Sequence, residues 1–265
     1  MTIASTATSA SALAERRGHI LLITFNRPDA RNAVNAEMCT IVGNALEEAD
    51  HDSEIRAVVL TGAGDKAFCA GADLKAISRG ERVIPEGREE WGLAGVVGHR
   101  ITKPVIAAVN GPALGGGAEI ALAADLVVAA DSAQFGLPEV KRGLVAGAGG
   151  AFRLGAKIPP VVALELLLTG EPITAARALE LHLVNRVVPA ADVLDTALAL
   201  AEAIASNAPL AVQAHKRIAL AQQVVVDRLG WQTTTAELPV IAASEDAKEG
   251  PRAFADKRVP VWKGR

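Results

Sequence analysis

PVIAAVNGPALGGGAEIALAADLVVAAD, residues 104–131, is the stretch that decides the fold. PVIAAVNG (104–111) is an apolar run closed by Asn110-Gly111 and reads as a strand. EIALAAD (119–125) is helix-like, and LVVAAD (126–131) is again a strand. Upstream the same alternation recurs. HILLITF (19–25) reads as a buried strand bounded by Asn26-Arg27-Pro28, and AVVLTG (57–62) as another ending in Gly62. Between them Asn35 is a fair N-cap, and Ile41, Val42, Ala45, Leu46 and Ala49 follow at helical spacing. Alternating strands and helices predict an α/β fold, and their spacing suggests strand–strand–helix units, although no repeat is strong enough to identify from sequence.

Beyond residue 160 the pattern turns helical: VALELLLTG, TAARALELHLV, a strand-like NRVVPA, then a long amphipathic stretch from Asp192 to about Leu229, broken at Asn207-Ala208-Pro209. The end, SEDAKEGPRAFADKR, reads as short helices separated by Gly250-Pro251. Three regions are expected: a disordered tail over 1–17, a mixed core over 18–205 and a helical region over 206–265. Residues 79–92, RGERVIPEGREEWG, carry dense charge without period and are the expected mobile segment.

Composition narrows the function. Of 265 residues, 50% are apolar and 22% charged, a soluble globular balance. With five Phe, three Trp and no Tyr, the core falls mostly to Ala, Val, Ile and Leu. The net charge of −3 gives no footprint for nucleic acid or an anionic membrane. No apolar run approaches the roughly 18 residues of a spanning helix, since Glu119, Asp125 and Glu165 interrupt the longest. Cys39 and Cys69 make neither a disulfide framework nor a metal site and fit a reducing, cytoplasmic compartment; the five His show no metal spacing. The first 16 residues lack the apolar segment of a secretory signal. Arg16 and Arg17 keep a transit peptide open, and disorder is the preferred reading. Lys263-Gly264-Arg265 is no peroxisomal address.

Three places carry candidate chemistry. Gly115-Gly116-Gly117 follows a strand and opens a helix, where backbone N–H groups and the helix dipole suit a phosphate or a developing oxyanion. The dinucleotide fingerprint fails there, because Ile120 stands where its third Gly belongs, and no Gly-Lys-Ser/Thr follows for a P-loop. Phe68-Cys69-Ala70-Gly71-Ala72-Asp73 is a second strand–Gly–helix junction, with Asp73 placed to cap the helix. Two such junctions can each give one donor to a single oxygen. Third, Glu119 and Glu139 each lie among apolar neighbours, so that, if close, one of them can hold a proton near neutrality and the pair can do acid and base work. Taken alone, these features read rather as a structural turn, a helix cap and two unrelated surface glutamates.

Together these fragments resemble the enoyl-CoA hydratase/isomerase, or crotonase, superfamily. NRPDARNA (26–33), AFCAGADLKA (67–76), NGPALGGGAEIALAAD (110–125), QFGLPEVKRG (134–143) and GAGGAFRL (147–154) stand in family order over about 18–265. The resemblance implies a spiral of ββα units, followed by a helical region that builds homotrimers or dimers of trimers, and an acyl-CoA substrate with no further cofactor and no metal. It implies an oxyanion hole from the N–H groups of Ala72 and Gly116, Glu119 acting on the attacking water and Glu139 donating the α-proton. CoA is then expected along Ala70, Asp73 and Leu74, with Arg31, Lys66 and Lys75 toward its phosphates and Phe254 and Lys257 toward its adenine.

Both glutamates favour the enoyl-CoA hydratase reading, in fatty-acid β-oxidation. A Δ3,Δ2-enoyl-CoA isomerase and a non-catalytic acyl-CoA-binding protein are the alternatives. LPEVKRGLV and the tail SEDAKEGPRAFADKRVPVWKGR resemble the carnitinyl-CoA dehydratase branch of the family. For its trimethylammonium group Trp91, beside Glu89 and Glu90, could offer an aromatic face, although an anchor for the charged loop is the preferred reading of Trp91. One departure is Val145-Ala146-Gly147, where many members have Pro before the Gly-rich segment.

Overall fold

The computed structural model describes residues 10–265. Strands β1 (Ala12–Arg17) and β2 (Ile20–Phe25) form a hairpin about Gly18, whose φ of +59° suits glycine. Helix α1 (Ala36–His51) starts at Asn35, whose side chain accepts from the Met38 N–H at 2.9 Å. Then come β3 (Ala57–Gly62), α2 (Leu74–Ser78), β4 (Val105–Val109), β5 (Ala113–Leu114), α3 (Gly116–Ala123), β6 (Leu126–Ala130) and β7 (Gln134–Gly136). A 3-10 turn over Pro138–Arg142 follows, then α4 (Gly150–Lys157), α5 (Pro160–Thr169), β8 (Ile173–Thr174), α6 (Ala175–Glu180) and β9 (Arg186–Val188). The chain closes with α7 (Val193–Ala205), α8 (Pro209–Ala219), α9 (Ala221–Ala243) and α10 (Glu245–Ala255).

The main sheet runs β1-β2-β3-β4-β6-β9, antiparallel only at β1–β2. Every residue of β3 and β4 is buried, which is why AVVLTG and PVIAAV read as unbroken apolar runs. Helix α7 covers this sheet with Ala197, Ala201 and Ala205 on its buried face. After each of four sheet strands the chain makes a second short pairing and then a helical turn. Val34 bridges Ala72, Cys69 bridges Ala113, β5 pairs with β7 and β7 with β8. Successive units therefore stack, so the loops leading into α2, α3 and the 138–142 turn lie side by side. This is the α/β strand–strand–helix arrangement expected from 104–131.

Two expectations are corrected. Residues 12–17 are not part of a disordered tail: they pair with β2 from Ala12↔Phe25 to Arg17↔Ile20. ALAERR has little strand propensity, but the open edge of β2 supplies a complete set of backbone partners. The rest of the expected tail, residues 1–9, lies outside the described residues. Nor do short helices flank Gly250-Pro251; α10 runs through both. Gly250 serves close packing instead, since a Cβ there would overlap the Arg142 carbonyl on the 138–142 turn.

Trp91, from the charged segment, is 2% exposed and stacks on His99 with ring centroids 5.4 Å apart. Its ring fills the place a side chain at Gly43 would occupy on α1. Gly43→Ala is expected to destabilise the fold by about 1–3 kcal/mol through overpacking. Urea unfolding at fixed protein concentration checks this; an unchanged midpoint would contradict the packing.

Candidate active site

Ala72 and Gly116 come from neighbouring units. In the bridge to Val34, the Gly71 carbonyl accepts from Val34 N (2.8 Å) and Asp73 N donates to the Val34 carbonyl (2.9 Å). The N–H of Ala72 between them therefore faces the other way. Gly116 is the first residue of α3, where a helical N–H has no partner within the helix. Among the described residues neither N–H meets a backbone or side-chain acceptor outside regular structure. The two are close: a Cβ at Gly116 would lie 3.4 Å from Ala72 N, and one at Gly71 would lie 2.8 Å from Gly116 N. Gly71 (φ +87°) and Gly115 (φ +57°) supply the backbone conformations these junctions need.

Glu119 follows in the first turn of α3 and is 3% exposed. Its Oε1 accepts from Ala148 N at 2.7 Å and Gly150 N at 2.9 Å. Gly149 between these donors has φ +99°, so the GAGG motif is a backbone clamp for one carboxylate oxygen. Glu139, on the 138–142 turn, has its Oε1 3.2 Å from where a Cβ at Gly115 would sit, and its Oε2 is buried without a hydrogen-bond partner among the described residues. Burial, and next the charge of Glu139, push the Glu119 carboxyl up to about 7. Burial also raises that of Glu139. A buried pair of this kind keeps a proton near neutrality and can act as one acid and one base. The two N–H donors favour charge on Glu119, whereas the unpartnered Oε2 favours neutral Glu139.

Ala72, Gly116, Glu119 and Glu139 open on one cleft of about 1030 Å³. Its other walls are mainly apolar, with Leu74, Ile77, Val83, Ile84, Leu93 and Val97 on one side and Leu144, Val145 and Leu238 on another. Part of the charged segment thus folds inward as cleft wall. Of the residues expected along CoA, Ala70, Leu74 and Phe254 line the cleft. Phe254 is exposed, with the Arg142 guanidinium 4.0 Å from its ring centre. Arg31, Lys66, Lys75 and Lys257 do not line it, although the Arg31 carbonyl accepts from Ala70 N at 3.0 Å. Lys66 pairs with Asp29 at 3.4 Å. Asp73 does not line the cleft and caps α2 as expected: Oδ1 accepts from Lys75 N and Ala76 N, and Oδ2 meets Arg27 at 2.9 Å.

Trp91 does not face the cleft; Trp231 of α9 does. Sequence reading missed Trp231 because only the packing of α9 on α4 brings it there. Its signal was an aromatic on an otherwise aromatic-poor helix. Among the described residues no group of three His, Cys, Asp or Glu is placed to hold a metal ion. No single described helix is long and apolar enough to cross a membrane.

The profile of the enoyl-CoA hydratase/isomerase family matches residues 15–265. An enoyl-CoA hydratase of Mycobacterium tuberculosis is 45% identical over 258 residues, covering 96% of this chain and 97% of that protein. A carnitinyl-CoA dehydratase of Proteus mirabilis is 42% identical, with 94% and 97% covered. The crystal structure of a carnitinyl-CoA hydratase from Mycobacterium avium superposes with a TM-score of 0.95 at 60% identity, covering 97% of this chain and 100% of the other.

Proposed function

Because the chain belongs to the enoyl-CoA hydratase/isomerase family, we propose that it is an enoyl-CoA hydratase, reversibly adding water to a 2-trans-enoyl-CoA. One observation carries the reading. Two carboxyls that burial pushes upward share a cleft with two N–H groups that meet no acceptor outside regular structure among the described residues. Ionised Glu119 takes a proton from water as the water oxygen bonds to C3. The C2–C3 π electrons move toward the thioester, and its oxygen gains charge against the N–H groups of Ala72 and Gly116. The carboxyl of Glu139 then delivers its proton to C2. The product is the 3-hydroxyacyl-CoA, and the pair ends with its proton on the opposite glutamate. The reverse sequence removes water. The residues use no redox step, and CoA enters as part of the substrate.

Carnitinyl-CoA dehydration, the activity that the names of several relatives carry, is the same chemistry on a cationic acyl group. Glu89, Glu90 and Trp231 in the cleft wall favour it. Against it, Glu89 already pairs with Arg82 at 2.6 Å, and the Arg153 guanidinium stands 5.6 Å from the Trp231 ring centre. The mainly apolar wall favours an uncharged acyl chain. Turnover of crotonyl-CoA and crotonobetainyl-CoA by the same preparation decides between them. The expected kcat/KM is at least tenfold higher for crotonyl-CoA, and the opposite ratio overturns this preference.

The reading extends to a homotrimer or dimer of trimers in the cytoplasm, serving fatty-acid β-oxidation. Val161, Leu164 and Leu168 on α5 and Leu210 and Ile218 on α8 are exposed, an apolar surface that self-association would cover. The buried free thiols Cys39 and Cys69 fit a reducing compartment.

A further inference from the structure

Against Gly149 of the Ala148–Gly150 clamp lies a buried cation that the reaction leaves unused. Arg153 of α4 is 5% exposed. Its Nε and Nη2 donate to Asp227 Oδ2 at 3.2 and 2.7 Å. Asp227 of α9 is 4% exposed; the same oxygen meets Arg100 Nη2 at 2.7 Å, and Oδ1 accepts from Gln223 Nε2 at 2.7 Å. Two guanidinium groups thus share one carboxylate, leaving a positive charge in excess. Arg153 Nη1 is buried and has no acceptor among the described residues. It packs against Gly149, where an added Cβ would lie 2.9 Å from it. The guanidinium is also 5.4 Å from the Phe152 ring centre, and Phe152 meets Trp231 edge to face, so aromatic rings flank the charge.

We propose that Arg153 is a positioning residue for the reaction: through Asp227 it ties the Glu119 clamp to α9, and through the clamp it supplies the positive charge that favours ionised Glu119 over ionised Glu139. A buried cation left partly uncompensated beside the clamp has no evident structural gain, since an apolar side chain would fill the place at lower cost. Its charge opposes the effects of burial and of Glu139 on Glu119, together with the Gly150 and Ala148 N–H groups. The other charged groups around Glu119 are few. Glu139 comes from the 138–142 turn, and Glu89, Glu90 and Arg142 lie elsewhere along the cleft. Lys157 of α4 reaches the Ala124 carbonyl at the far end of α3, near Asp125. Strand β5 and the Leu93–Gly95 turn, which also pack on α3, bring no charge.

The assignment of roles rests on the hydratase reading, but its test needs no turnover. The carboxyl stretch of Glu119 is followed by infrared difference against Glu119→Gln across pH, in the full chain. In Arg153→Met the titration midpoint is expected to rise by about one pH unit. Arg153→Lys, which keeps the charge, should return most of that shift. Asp227→Asn removes the neutralising partner and should lower the midpoint. An unmoved midpoint in folded Arg153→Met, or an equal rise in Arg153→Lys, overturns the proposal. Should Arg153→Met fail to fold, the Asp227→Asn titration decides: a fall supports the proposal, and no change or a rise overturns it. With crotonyl-CoA as substrate the acid limb of kcat should move in the same order. Shifted carboxyl titrations in a protein that never hydrates an enoyl-CoA would leave the Arg153 proposal standing and remove the hydratase reading.

Discussion

Glu119→Gln is expected to lower kcat for crotonyl-CoA hydration roughly 10²- to 10⁴-fold, the usual worth of a positioned general base, while KM changes little. Gln preserves the shape of the side chain, and its carbonyl oxygen can still accept from the Ala148 and Gly150 N–H groups that hold Oε1 at 2.7 and 2.9 Å. What is lost is the capacity to take a proton from water. In the wild type, hydration should fall at low pH, where Glu119 takes up a proton and cannot act as the base, and fall again at high pH, where the pair loses the proton that Glu139 must donate. For Glu119 the stability effect has the opposite sense. A carboxyl raised in the folded state binds its proton more tightly there than in the unfolded chain, so folding weakens as pH rises from the ordinary carboxyl value of 4.5 through about 7. Glu119→Gln should therefore gain heat stability over the wild type at pH 8 and lose that advantage toward pH 4.5. A variant that is both inactive and less stable at pH 8 would mean that the substitution damaged the fold instead.

Gly116→Ala should lower kcat roughly 10²- to 10³-fold, the usual worth of one oxyanion donor. The new Cβ would overlap Leu93 Cδ2 and stand 2.9 Å from Gly71 Cα. Gly71 belongs to the junction that carries Ala72, so the two donors must move apart. Glu119 remains clamped from the 148–150 side, and affinity for a saturated acyl-CoA should change far less than turnover. Stopped-flow turnover beside equilibrium binding of butyryl-CoA measures both. Hydration within threefold of wild type would show that these N–H groups do not receive the thioester oxygen.

How far the residues announced this arrangement depended on whether the information was local. Strands β3, β4 and β6 are apolar runs closed by glycine or aspartate, and α1 has its cap and its periodic face, so these elements were readable directly. The Gly-rich junctions were also readable, because glycine is required by local backbone geometry at Gly71 and Gly115. β1 was not, since a polar strand on a sheet edge is specified by its partner β2 and not by its own residues. Gly250 looked like a break because the sequence cannot show that the Arg142 carbonyl presses on that point of α10. The places of Trp91 and Trp231 were hidden for the same reason. The burial of Trp91 depends on Gly43, some fifty residues away, and the cleft position of Trp231 on the packing of α9 against α4. The Arg153–Asp227–Arg100 cluster joins residues far apart along the chain and leaves no local pattern.

The central claim is that two glutamates and two backbone N–H groups add water across an enoyl thioester. Its most direct test is wild-type turnover of crotonyl-CoA in D2O, with loss of the conjugated absorbance recorded and the product identified by NMR. The expected product is 3-hydroxybutyryl-CoA carrying one deuteron at C2, with formation abolished or nearly so in both Glu119→Gln and Glu139→Gln. A product with a migrated double bond and no hydroxyl, or full hydration by either variant, would contradict it.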